Sequence, residues 1–155
     1  MRKRKPKVRV VQPDPRFADP MVTQFVNNLM MAGKKSTAFT IFYNAMDLIQ
    51  ERTGENPHET WEKALNNIYP AVEVRSKRIG GATFQIPTDI RGSRKISMGM
   101  KWLIKYSRAR SGKGVAEKLA AEIIAASKGE GASVKKREDT HRMAEANKAF
   151  AHFRA

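Results

Sequence analysis

AVEVRSKRIGGATFQIP, residues 71–87, is the stretch on which the fold turns. Apolar and polar side chains alternate on either side of Gly80-Gly81, a pair able to take positive φ at both positions and so close a two-residue hairpin. The period of two predicts a β-hairpin, roughly Val72–Ile79 paired with Ala82–Ile86. Outside it the spacing is helical.

Upstream, Asp19-Pro20 reads as an N-cap followed by proline at the first helical position. Val22, Phe25, Val26 and Leu29 follow on one face, with Gly33 as the expected stop. A second helix starts near Ser36 and is expected to bury Ala38, Ile41, Phe42, Ala45, Leu48 and Ile49 before Gly54. Asn56-Pro57 with Glu59 forms a capping-box-like start for a third, whose stripe is Trp61, Ala64, Leu65 and Ile68, ended by Pro70. Downstream, helical spacing runs from Ser93 to about Arg110, from Gly114 to Lys128, and from Ser133 almost to the end, where Met143, Ala146, Phe150 and Phe153 read as a core stripe. The expected fold is mainly α: a single domain of about six helices with one protruding β-hairpin between helices three and four. Residues 1–18 read as a flexible basic arm and residues 19–155 as a helical domain, with the hairpin at 72–87.

Charge points to the partner. The chain has 155 residues, 30 Lys+Arg and 15 Asp+Glu, for a net charge of +15. Solubility alone is served by about 2–8 charges in a small domain, so this excess is expected to meet a polyanion. The charge lies in blocks. Arg2, Lys3, Arg4, Lys5, Lys7 and Arg9 crowd the N-terminus without an acid, and like charges so dense favour an extended arm that orders on an anion. Residues 44–73 hold six acids against Arg52 and Lys63, whereas residues 75–113 hold eleven basic side chains against Asp89 alone. Cysteine is absent, which suits a reducing cytoplasmic setting, and no apolar run reaches the length of a membrane span.

Three surfaces carry the binding signal. The hairpin interleaves Arg75, Lys77 and Arg78 with Val74, Ile79, Phe84 and Ile86, and Phe84 is open to either base stacking or packing on the helices. Helix four places Arg94, Lys101, Lys105 and Arg108 on one side and Ile96, Met100 and Leu103 on another, without interspersed glutamate. Lys135, Lys136 and Arg137 open the last helix, where the dipole disfavours positive charge unless an anion is bound.

Catalytic patterns fail. Gly33-Lys34-Lys35-Ser36 is similar to the end of a phosphate-binding loop, but Asn28 stands where the earlier glycine is required, and a helix precedes it instead of a strand. His58-Glu59 lacks the second histidine of a zinc protease, and His141 and His152 have no carboxylate or cysteine at ligand spacing. No catalytic residue, metal or cofactor is expected. The rivals are a DNA-architectural protein using the hairpin as a minor-groove arm and an RNA-modifying enzyme.

Four blocks carry a family resemblance: PDPRF (Pro13–Phe17), FVNNLMMAGKKSTA (Phe25–Ala38), VEVRSKRIGGATFQIP (Val72–Pro87) and VKKREDTHRMAEANKAFAHFR (Val134–Arg154). In this order they resemble the bacterial small-subunit ribosomal protein S-seven family over nearly the whole chain. Departures include Gly92 where the family usually has proline, and MRKRK in place of a Met-Pro-Arg-Arg start. The resemblance implies a helical domain with a projecting hairpin that binds the 3′ major domain of small-subunit ribosomal RNA and nucleates head assembly. It implies RNA contacts at Arg2–Arg9, Lys34, Lys35, Arg75, Lys77, Arg78, Arg94, Lys95 and Lys135–Arg137; Arg91 and Arg142 complete the expected set. The hairpin tip Ile79, Gly80, Gly81, Ala82 and Thr83 is implied to lie near exit-site tRNA and the messenger path. Neighbouring head and platform proteins are the implied protein partners. Some family members also repress their own operon by binding its messenger.

Overall fold

The computed structural model describes residue 7 and residues 9–153. Six α-helices and one antiparallel hairpin follow in the order α1 (Pro20–Leu29), α2 (Lys35–Thr53), α3 (Pro57–Ile68), β1 (Val72–Ile79), β2 (Ala82–Asp89), α4 (Gly92–Ala109), α5 (Val115–Ser127) and α6 (Ala132–Ala146). A 3-10 helix over Lys148–Phe153 closes the described chain. The mainly helical architecture, with the hairpin between the third and fourth helices, matches the expectation.

α5 is the hub: α2, α3, α4 and α6 all pack on it. Its small alanines, with Ala120 and Ala126 fully buried, let neighbours come close, and Leu119 and Ile123 fill the space between them. Around it an aromatic group locks α1, α2 and α3 together. The ring of Phe25 lies 5.5 Å from that of Phe42, and Trp61 meets both edge-on at 5.6 and 5.7 Å. Where α4 crosses the end of α3, Gly99 is required by space. A Cβ there would stand 2.5 Å from Cδ1 of Tyr69.

The sequence expectations need several corrections. α1 ends at Leu29, because the Met30 amide closes on the Val26 carbonyl and ψ then turns extended, at 138°. Gly33 instead shapes the tight connection into α2, where Lys34 N–H bonds the Met31 carbonyl. In α2 the buried set is Ala38, Phe42, Ala45, Met46 and Ile49, while Ile41 and Leu48 are half-buried. β2 runs three residues past Ile86, to Asp89, through Pro87. Gly80 and Gly81, at φ +57° and +88°, make the two-residue turn, so hydrogen-bonded pairs alternate outward from Ile79–Ala82. That parity puts Val74–Pro87 at a position needing no N–H, and proline is tolerated.

The C-terminal stripe also differs. Met143 is 48% exposed and Ala146 lies on the surface. α6 buries Ser133, Val134, Thr140 and Ala144 instead. The rotation is set by polar contacts: Arg137 Nη1 donates to the Asn67 carbonyl at the end of α3, and the Ala71 amide donates to His141 Nε2 at 3.0 Å. Phe150 and Phe153 leave the helical core altogether. They pack on Phe84 of the hairpin, with ring centroids 5.3 and 5.6 Å away.

The segment before α1 is anchored at its end. Asp14 is buried and accepts amide hydrogens from Arg16, Phe17 and Asp19 and the hydroxyl hydrogen of Tyr43. Burial disfavours its charged form, but these four donors outweigh that cost and hold the carboxyl below its ordinary value. Phe17 is thereby laid on Phe42 and stacked on His58.

Candidate nucleic-acid interface

Helix starts sort the cations. α1 and α3 begin at Asp19 and Asn56, whose side chains accept the amide hydrogens of Met21 and His58 and so satisfy these ends internally. α2, α4 and α6 have no side-chain cap. Each opens with basic residues instead: Lys34 and Lys35 at α2, Arg91, Arg94 and Lys95 at α4, Lys135 and Lys136 at α6. Unsatisfied N–H groups, the positive end of the helix dipole and added cations together form an anion-seeking arrangement. α2 and α4 present it, whereas at α6 the buried Glu122 carboxylate accepts the Ser133 amide and answers that end from within the fold. The sequence showed this signal at Lys135–Arg137; at the other two starts it was equally present, as basic residues where a capping serine or aspartate would stand.

The outer face of α4 is the second component. Lys101, Lys105 and Arg108 are exposed and, with Asn28 of α1, Ile104 and Ala109, line an open groove between α1 and α4. Among the described residues no carboxylate lines it. Arg108 Nη2 donates to the Leu29 carbonyl at 2.9 Å, so this guanidinium is held at the C-terminal end of α1. Lys105 and Lys95 lie beside the rings of Tyr106 and Tyr69, both at 5.8 Å, which restrains the ammonium groups without neutralising them.

The hairpin is less free than its sequence suggests. Strand alternation puts Glu73, Arg75 and Lys77 on the face carrying Phe84 and Ile86, and Arg78 on the other. Glu73 is buried at the base of the hairpin, with Arg75 Nε on Oε1 at 2.6 Å and Arg94 Nε on Oε2 at 2.7 Å. Burial opposes its ionisation, but the two guanidiniums hold the carboxyl below the usual value. Arg75 and Arg94 are therefore oriented by a shared carboxylate, yet remain 60% and 53% exposed and keep nitrogens for a second acceptor. Lys77 Nζ donates to the Phe153 carbonyl at 3.2 Å. Arg78 and the tip from Gly80 to Thr83 face solvent. The two roles left open for Phe84 separate here: in the free protein it packs on Phe150 and Phe153.

The other expected cations divide similarly. Arg142 and Lys135 are exposed, whereas Arg137 is half-buried against α3 and supports the fold. Lys7 and Arg9 are exposed; Arg2, Lys3, Arg4 and Lys5 lie outside the described residues.

Composition alone could not show the buried carboxylates. Glu122 is fully buried, paired with Arg110 and bonded to the amide and hydroxyl of Ser133. Asp19, His58 and Glu62 bring ligand-type atoms within 4.8 Å of one another. Their contacts are already explained, because Asp19 caps α1 with Oδ1 and accepts from His58 through Oδ2. No described helix is long and apolar enough to cross a membrane.

A rigid helical body whose uncapped basic helix starts and acid-free groove face outward is a protein built to lie on a polyanion. Comparison with known proteins narrows the class: residues 1–148 match the ribosomal protein S7p/S5e family, and the chain belongs to it. It is 64% identical to the small ribosomal subunit protein uS7 of Cytophaga hutchinsonii over 99% of both chains. Identity is 61% to the Flavobacterium psychrophilum protein of that name and 57% to the Porphyromonas gingivalis one, again over 99% of each. The chain is thus a structural, RNA-binding constituent of the small ribosomal subunit and not an enzyme, which removes both the DNA-architectural and the RNA-modifying alternatives.

Proposed function

We propose that this protein binds the 3′ major domain of small-subunit ribosomal RNA and nucleates folding of the subunit head. The observation that carries the reading is the α1–α4 groove, where Lys101, Lys105 and Arg108 stand together with no carboxylate among its walls. Lys34, Lys35, Arg91, Lys95, Lys135, Lys136 and Arg142 extend the cationic surface, and Arg75 and Arg94 add their remaining nitrogens. Residues 1–18 supply a basic arm that engages the same RNA through Arg2–Arg9. A-form RNA hides its major groove, so contacts of this kind fall on phosphates, 2′-hydroxyls and unpaired junctions. The tip Ile79–Thr83 approaches exit-site tRNA and the messenger path, and the acidic surfaces of α2 and α3 face neighbouring head and platform proteins. Repression of its own messenger would use the same cations on a similar RNA shape.

The test is a filter-binding titration against a 3′ major domain transcript at several salt concentrations. With roughly six to ten phosphates neutralised, affinity falls about 10³–10⁵-fold between 50 and 200 mM salt. Lys101→Gln with Lys105→Gln lowers the salt exponent by about two and leaves melting unchanged, because both side chains are exposed. Salt-insensitive binding, or equal affinity for duplex DNA, would overturn the proposal.

A further inference from the structure

We propose that the apolar pocket beside the start of α2 receives one unstacked nucleobase of the bound RNA, its flanking phosphates held by Lys34 and Arg108; this rests on the RNA-binding role proposed above. The pocket encloses about 210 Å³. Leu29, Ile41 and Val115, from three helices, form its walls with Met31, and the charged groups lining it among the described residues are Lys34 and Arg108.

Three observations select this occupant. First, Met31 is 67% exposed and Val115 39% exposed, so the free protein leaves an apolar concavity open to water in one of its most cationic regions. Second, the two cations without a carboxylate call for an occupant that is apolar and flat in the middle and anionic at its edges. A nucleotide has that composition: a base with two π faces, joined to phosphates on either side. A hydrophobic protein side chain would fill the walls and leave both cations unanswered. Third, Arg108 lines this pocket and also the α1–α4 groove. Among the described residues neither lining includes a carboxylate, so a backbone following Lys101 and Lys105 meets the pocket at the shared Arg108. The bond from Arg108 to the Leu29 carbonyl fixes the guanidinium at the junction, where its other nitrogens remain for phosphate. The Met31 thioether adds a polarizable contact of the kind favoured at aromatic edges.

Filling the pocket separates base from phosphate contacts. Thr37 lines it from an exposed position, so Thr37→Tyr and Val115→Tyr each occupy it while keeping every cation. Against the 3′ major domain transcript, each is expected to bind about tenfold more weakly with an unchanged salt exponent. Lys34→Gln is expected to lower that exponent by about one. Melting temperatures confirm folding, and either filler suffices if the other unfolds. Parent-like affinity in a folded filler, with the parent still salt-sensitive, overturns the pocket assignment alone. A parent that shows no salt-sensitive binding overturns the RNA reading itself. A benzophenone amino acid at position 115 in assembled subunits identifies the occupant class. Crosslinking to a single RNA nucleotide supports the assignment; crosslinking to a neighbouring protein overturns it.

Discussion

At the scale of residues, three buried carboxylates among the described residues of this strongly basic protein each tie two parts of the fold together. Glu122 ties Arg110 to the start of α6, Glu73 ties the hairpin to α4, and Asp14 ties the pre-helical segment to α2. Removing Glu122 leaves the buried amide and hydroxyl of Ser133 without their acceptor, so Glu122→Ala is expected to cost about 2 kcal/mol by urea unfolding. The titrating groups give stability a signed pH dependence. His141 is neutral in the fold: burial first, and the nearby Arg137 charge second, lower its pKa from 6.5. A depressed folded pKa means stability is complete above 6.5 and declines as pH falls toward the lowered value. Glu73 and Asp14, held below 4.5 and 3.8, add a second loss as pH falls through their lowered values. Thermal melts across pH 7 to 3 are expected to show both declines, with His141→Asn removing the upper one. An upper decline unchanged in that variant would assign it elsewhere.

At the scale of elements, the hairpin is the part whose behaviour differs most from its pattern. An isolated hairpin is marginal in water. This one is held at its base by the Glu73 pairs and along its length by Phe84 against Phe150 and Phe153. Truncating Phe153 to Ala is expected to raise amide hydrogen exchange from Lys77 to Phe84 while leaving the global melting temperature nearly unchanged, since the helical core is not involved. Unchanged exchange would show that the Glu73 pairs alone suffice. The alternating pattern around Gly80-Gly81 made both strands legible, but the expected second strand stopped at Ile86, just before Pro87. Only the register, which gives that proline a position without an N–H requirement, carries the strand on to Asp89.

At the scale of the whole molecule, positive and negative charge are segregated, and the proposed RNA side is the one without acids along its groove. Asp47 is answered by Arg16 and Glu117 by Arg52, on the acidic side. The α4 groove has no such partners lining it. Under the proposed function, long-range attraction is expected to orient the approach, so the association rate with ribosomal RNA should fall steeply with ionic strength in stopped-flow mixing. A salt-independent rate would show that orientation arises only after contact.

The amino-acid order by itself determined the number of helices, the hairpin and its turn, and the excess of positive charge, because periodicity, capping residues and net charge are local or additive properties. The candidate cations were legible for the same reason. Tertiary structure alone decided which of them remain available. Burial of Glu73 engages Arg75 and Arg94, the end of α3 takes up Arg137, and the meeting of α1, α2 and α5 makes a pocket from residues distant along the chain. Pairing and concavity depend on distances through space, and no spacing along the chain encodes them.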